Sequence, residues 1–309
     1  AWDAVAARAQ GTLAEEATVR ARQWHEVSEA EARRRVAAWA AWRQYERDRA
    51  TLQKVLGYSD AVVPAAQKKA WQDEFDRAYA PWRDDFARLV GDVDWVRVPA
   101  GAVELPESRL PIGRLLVGRT EVTQAQYAAC VRAGACTAPQ WRGCQAGPGL
   151  ATPLDAHFAA PDQPVVCVDR FQAEAFARYV GGRLPSPAEW LHAARGGEAR
   201  DGYPWGGGPA DCQHAALANA EGYGCGRRTT VPVCTLPAGR SKQGLCDAVG
   251  NVAEWTAETV AGPGGRPRAT IIGGSVVHAT VEPSDLQRDL LAPAQRAAYV
   301  GFRVVRDAP

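Results

Sequence analysis

Residues 244–256 read GLCDAVGNVAEWT. A tight Gly250–Asn251 turn sits between two acids, Asp247 and Glu254, and a tryptophan follows at 255. Read alone, this is a loop in which Asn251 and Glu254 hydrogen-bond their own turn. Its meaning depends on two later segments. IIGGS (271–275) carries a Gly-Gly-Ser that reads as a backbone device, and GFRVV (301–305) reads as a strand. The twenty-five residues between them, 276–300, contain no cysteine.

Upstream, the same region has helix starts that need no catalytic explanation. TEVTQAQYAAC (120–130) offers Thr123 as N-cap with Gln126 three residues on. VCVDRFQAEAFARYVGG (166–182) repeats the device with Asp169 and Gln172. It sets Phe171, Ala175, Phe176 and Tyr179 on or near one face and stops at Gly181. RLPSPAEWLHAARGG (183–197) has Ser186 as cap, Pro187 in the first helical position, Glu189 closing the box and Gly196 ending the helix.

Residues 1–94 follow a different grammar, rich in Ala, Arg and Glu with few Gly or Pro, and read as an all-α region. Ser28 and Glu31 form a capping box, Gly57 is the stop, and Val36, Trp39, Ala40, Leu52, Val55 and Leu56 recur at steps of three and four. A second helix is predicted from Pro64 to about Val90, broken or kinked at Pro81, and a shorter one over the first 24 residues. Seven of the eleven tryptophans (Trp2, Trp24, Trp39, Trp42, Trp71, Trp82 and Trp95) lie in or beside this region. They are expected to fill a thin bundle or a seam with the second domain. Two domains result, 1–94 and 95–309.

The chain has 309 residues, is 46% apolar and carries a net charge of +1. This supplies no electrostatic reason to expect nucleic acid or an acidic membrane. No apolar run reaches the ~18 residues of a membrane span. There is no methionine, and no basic-then-apolar leader opens the chain. That is the pattern of a processed chain, a piece of a longer one, or a cytosolic protein. All eight cysteines (Cys130, Cys136, Cys144, Cys167, Cys212, Cys225, Cys234 and Cys246) fall in the second domain. An even, clustered set reads as a disulfide framework in an oxidising, extracytoplasmic compartment. The spacings lack the close C-x₂₋₄-C pairs of zinc sites. They suggest Cys130–Cys136, Cys212–Cys225 and Cys234–Cys246 as local bridges, leaving Cys144–Cys167, although sequence alone leaves other connectivities open.

Six motifs in order, GRTEVTQAQYAAC, QPVVCVDRFQAEAFARYVGGRLPSPAEWLHAARGG, YPWG, GLCDAVGNVAEWT, IIGGS and GFRVV, resemble the formylglycine-generating enzyme (sulfatase-modifying factor) family over residues 95–309. The resemblance implies an α+β, loop-rich, C-type-lectin-like domain, here preceded by the helical region. It implies a structural Ca²⁺ held by the carboxylates of Asp247 and Glu254 and the carbonyls of Gly250 and Val252, a hard-oxygen set suited to that ion. A second family site would use Asn219 and Ala220, but the loop that completes it is shortened here to EGYGCG.

The resemblance also defines what is missing. Active members bind copper through two cysteines after the Gly-Gly-Ser, soft thiolates that select Cu(I). The matching positions here are His278 and the neighbourhood of Pro283. A related branch holds iron with three histidines, drawn mainly from a preceding helical domain. This helical region has only His25, and His157, His192, His214 and His278 show no ligand spacing. Neither copper nor iron is expected. The leading expectation is therefore a non-catalytic, extracytoplasmic binding or sensing module that recognises a protein or peptide. Its face would comprise His278, Asp285, Arg288, Asp289 and Arg296 with Trp255 and Trp205. Two alternatives are a metal-dependent oxidoreductase with a substituted site using His278, and a retroelement-diversified display protein.

Overall fold

A computed structural model describes residues 56, 59–74, 77, 93–105, 108–147, 149–196, 202–282 and 286–308. The chain divides into two compact units, Ala1–Asp92 and Val93–Pro309. In the first, the described part is helical over residues 65–74, and Trp71 is exposed. The helices expected over the first 24 residues and beyond 77, and the one over 28–57 apart from Leu56, which is helical, lie outside the described residues, as do Trp2, Trp24, Trp39, Trp42 and Trp82.

The second unit is α+β with short elements joined by long loops. Strands β1 (Trp95–Val98), β4 (Leu115–Gly118) and β9 (Val305–Asp307) form one sheet in the order β1-β4-β9, all antiparallel. Strands β2 (Gly101–Leu105) and β3 (Ser108–Ile112) form a hairpin. The third sheet has the order β7-β6-β5-β8, from β5 (Ala253–Ala261), β6 (Pro267–Ile272), β7 (Arg288–Leu291) and β8 (Val300–Gly301). Four helices punctuate the loops: α1 (Gln124–Arg132), α2 (Leu154–Phe158), α3 (Arg170–Tyr179) and α4 (Pro187–Arg195).

Capping fixes where three of these helices begin. Thr123, Asp169 and Ser186 each accept from the backbone N–H three residues on, and Gln126, Gln172 and Glu189 each return the bond to the cap's own N–H. Gly196 closes α4 with a left-handed φ of 64°. Ser186→Ala removes one of these caps, and about 1 kcal/mol of stability is expected to go with it, measurable by urea unfolding. On α3 the buried stripe is Gln172, Ala173, Phe176 and Ala177. Phe171, expected on the inner face, is 56% exposed, and Tyr179 is exposed as well.

Loops bury little apolar surface, and the cysteines compensate. Cys130–Cys136, Cys144–Cys167, Cys212–Cys225 and Cys234–Cys246 are bonded, with no free cysteine among the described residues. Among those residues no helix is long and apolar enough to cross a membrane. Apolar clusters pack around Trp190 and Ile272, around Phe176, Trp255 and Phe302, and around Phe158 and Val276.

Candidate functional site

The Gly250–Asn251 turn joins the motifs to one another. Gly250 has φ 80° and Asn251 has φ 59°. A Cβ on Gly250 would lie 2.7 Å from the Ala216 carbonyl oxygen, so this position requires glycine. Gly250 N donates to Gly273 O (2.9 Å), and Val276 N donates to Asn251 O (3.0 Å), tying the turn to the Gly-Gly-Ser segment. The Asn251 side chain reaches further. Its Nδ2 donates to Glu121 Oε2 (2.9 Å) and its Oδ1 accepts from Val231 N (2.9 Å).

Beneath the turn lies a fully buried ionic cluster. Arg303 Nε donates to Glu254 Oε1 (2.9 Å) and Oε2 (2.7 Å), and its Nη2 donates to Oε1 (2.6 Å). Arg303 also donates to the carbonyls of Gly118, Arg119, Cys246 and Asp247. Trp190 Nε1 donates to Glu254 Oε2 (2.6 Å). Asp247 Oδ2 accepts from Cys234 N (2.6 Å), and Glu121 Oε1 accepts from Val252 N (3.2 Å).

Three carboxylates thus share the interior with one guanidinium, helped by a weaker attraction of Arg240 for Asp247. Burial is the main reason Asp247 is pushed up to about 6, with Glu254 adding repulsion. Burial likewise raises Glu121 well above the usual carboxylate range, with Asp247 and Glu254 adding to it.

The implied calcium can be tested against this geometry. Asp247, Gly250 and Val252 supply hard oxygens at a left-handed turn, and the surplus of buried negative charge suits a divalent cation. The Glu254 carboxylate does not fit as a free ligand, because Arg303 and Trp190 already engage both its oxygens. Among the described residues no three His, Cys, Asp or Glu side chains gather as a metal cluster. At the second expected site, the Asn219 side chain serves its own turn: Oδ1 accepts from Glu221 N (3.1 Å) and Nδ2 donates to Cys212 Sγ (3.3 Å). Ala220 is the next residue of that turn.

At the surface, His278 takes the place expected of the first copper-binding thiol. Its Nδ1 accepts from Ser275 N (3.0 Å) and lies 3.0 Å from Ser275 Oγ, while its Nε2 lies 3.2 Å from Asp289 Oδ2. Because Nδ1 accepts from a backbone N–H, the neutral ring carries its proton on Nε2 and donates it to Asp289. That bond is the largest influence holding Asp289 below the usual carboxylate range. Gln287 Nε2 donates to the same oxygen (3.2 Å). Arg288 is exposed.

Two members of the expected face, Trp255 and Arg296, are engaged in the interior, and a third, Asp285, falls outside the described residues. Trp255 is 0% exposed, in the core with Phe176 and Phe302, and its Nε1 donates to Val168 O. Both sides of β5 are covered there, so the tryptophan cannot reach a surface. Arg296 is half-buried and donates to Asp169 and Gln172, bracing the start of α3. Trp205 is the middle ring of a stack, 4.8 Å from Tyr203 and 5.0 Å from His214, and belongs to the apolar cluster around Trp190. The structure therefore brings His278 and Asp289 into contact, while Arg288, the next strand residue, is exposed on the opposite side of β7.

Glu121, Trp190, Ser275 and Arg303 carry weight that the sequence reading did not assign. Arg303 had a legible signal, a lone charge inside the apolar run GFRVV, which requires a buried partner.

A family profile described as a sulfatase-modifying factor enzyme 1-like domain matches residues 65–308. The chain belongs to the sulfatase-modifying-factor family. The match begins within the first unit, ahead of the six motifs. Hercynine oxygenase from Mycolicibacterium smegmatis is 32% identical over 181 residues, which cover 51% of this chain and 39% of that protein. The inactive C-alpha-formylglycine-generating enzyme 2 of Bos taurus is 36% identical over 121 residues, 38% of each chain. The chain thus spans well under half the length of both. Among solved structures, CarF aligns with a TM-score of 0.55 at 24% identity, covering 71% of this chain and all of CarF. The sulfatase-modifying-factor scaffold accordingly includes members named as enzymes and members named as inactive.

Proposed function

We propose that this chain is a non-catalytic binding or sensing module of an oxidising, extracytoplasmic compartment, with a protein or peptide as its ligand. One observation carries the reading. The position of the first metal-binding thiol is filled by His278, hydrogen-bonded on both ring nitrogens to Ser275 and Asp289. All eight cysteines are paired in disulfides, so no thiolate remains to grip soft copper or to exchange with a substrate thiol. The inactive bovine relative supports the idea that this family contains members without the reaction.

The proposal includes a structural Ca²⁺ near Asp247, Gly250 and Val252, which would neutralise the surplus charge of the buried carboxylates. It takes no part in chemistry. The decisive assay incubates the purified chain with a cysteine-containing peptide, oxygen and copper, and follows the peptide by mass spectrometry. No aldehyde is expected. Catalytic conversion of the cysteine to an aldehyde would overturn the reading.

A further inference from the structure

β7 forms one edge of the four-stranded sheet, and among the described residues no strand neighbours its outer side. The register pairs Ile272 with Arg288, Ile271 with Asp289, Thr270 with Leu290 and Ala269 with Leu291. Hydrogen bonds at either end of β6 settle which backbone groups point where. Thr270 O accepts from Thr256 Oγ1 on the β5 side, and Gly273 N donates to Leu286 O on the β7 side. Successive residues of a strand direct their backbone groups to opposite sides, so Ala269 and Ile271 bond towards β7. Their partners Leu291 and Asp289 bond inward, and the N–H and C=O groups of Arg288 and Leu290 point away from the sheet. Among the described residues no other backbone group bonds to them.

The side chains of the same two residues are exposed on one face, Leu290 to 49%. Arg288 has no ion-pair partner among the described residues, whereas the neighbouring Asp289 is bound to His278 and Gln287. The edge thus offers two outward backbone pairs, one unmatched positive charge and one apolar side chain two residues away.

We propose that β7 is a docking edge for an extended peptide segment of a partner protein, added as a fifth strand, with an acidic residue facing Arg288 and an apolar residue facing Leu290. This rests on the binding-module reading and names the partner class for it. A second copy of the chain fits less well. Pairing β7 with β7 sets Arg288 against leucine and leaves its charge unmatched, because Asp289 is already bound by His278.

The test uses a fluorescein-labelled, capped peptide, Thr-Glu-Thr-Val-Thr, titrated with the full chain and read by anisotropy. Saturable binding is expected. Leu290→Pro removes an outward N–H at a position where an edge strand tolerates proline, and is expected to weaken binding about tenfold or more. Arg288→Glu is expected to weaken it similarly and to reverse the preference in favour of a peptide with Lys in place of Glu. Circular dichroism confirms that both variants are folded, and the charge reversal stands on its own if Leu290→Pro does not fold. No saturable binding, or binding unchanged by both variants, overturns the proposal. So does a wild-type dimer in light scattering that Arg288→Glu leaves intact and Leu290→Pro abolishes, since the edge then belongs to a second copy. Aldehyde formation from a cysteine peptide would end the non-catalytic reading while leaving the edge assay intact. Failure of the edge assay alone leaves that reading in place.

Discussion

Replacing Arg303 with Met is expected to lower the stability of the folded chain by about 3–5 kcal/mol, the usual cost of removing one partner of a buried ion pair. Arg303 is buried and touches Glu254 through three donor–acceptor contacts. Its remaining donors reach four main-chain carbonyls drawn from the β4 end and the 246–247 loop. Without the guanidinium, Glu254 keeps only the Trp190 N–H in a site already crowded by Asp247 and Glu121. For a unit of this size each kcal/mol moves Tm by roughly 2–4 °C, so a fall of about 6–20 °C is expected in calorimetry. Glu254→Gln is the control. It leaves an uncharged acceptor for the guanidinium and for Trp190 and is expected to cost less. The Arg303→Met, Glu254→Gln double variant is expected to recover part of the single loss, because the carboxylate left without its partner is gone. A single variant within about 0.5 kcal/mol of wild type would refute this account of the core.

A second large effect concerns pH. The folded-state value of Asp247, about 6, lies above the ~3.9 of an unfolded aspartate. The folded chain therefore binds this proton more tightly than the unfolded chain. The resulting stabilisation is complete below about pH 4 and is lost as pH rises through about 6, amounting to about 2–3 kcal/mol by pH 8. Glu121 shifts in the same direction. Asparagine has the same shape, offers an oxygen to Cys234 N and tolerates the left-handed φ of 53° at this position. Asp247→Asn is thus expected to match wild type near pH 4 and to exceed its stability by about 2 kcal/mol at pH 8 in chelator. Millimolar Ca²⁺ at pH 8 is expected to raise the wild-type Tm and to leave Asp247→Asn nearly unmoved. A variant less stable than wild type at pH 8 without calcium would sink the charge argument. Equal calcium shifts in both proteins would move the ion away from Asp247.

Short-range chemistry was legible in the sequence, and long-range chemistry was not. The caps at Thr123, Asp169 and Ser186 are read within four residues, and the structure shows each as a reciprocal box. The three local bridges that spacing suggested span 6 to 13 residues, and the pair left over, Cys144–Cys167, spans 23. Errors arose where partners are far apart. Glu121 meets Asn251 across 130 positions, and Arg303 meets Glu254 across 49. No local pattern encodes such pairs, so the guanidinium that engages Glu254 is invisible beside its Gly-Asn turn. Trp255, expected to border the recognition face, is instead fully buried, because β5 at that point is covered on both sides. On α3 the buried stripe is built from Gln172 and two alanines around one phenylalanine. Of the expected face, Phe176 and Ala175 do pack inward while Phe171 and Tyr179 are exposed, so the buried stripe is offset from the one the apolar residues suggest.

The order of the smallest sheet has one more consequence. β1 opens the second unit, β9 closes it, and β4 lies between them. β1 and β9 both run antiparallel to β4 and so parallel to each other; the chain enters level with Gly118 and leaves level with Leu115, opposite ends of the sheet about 14 Å apart. Such a unit can have its two ends joined by a linker of about five residues. It can be spliced into a host loop, or rejoined end to end and reopened at an exposed turn, without passing a strand through the interior.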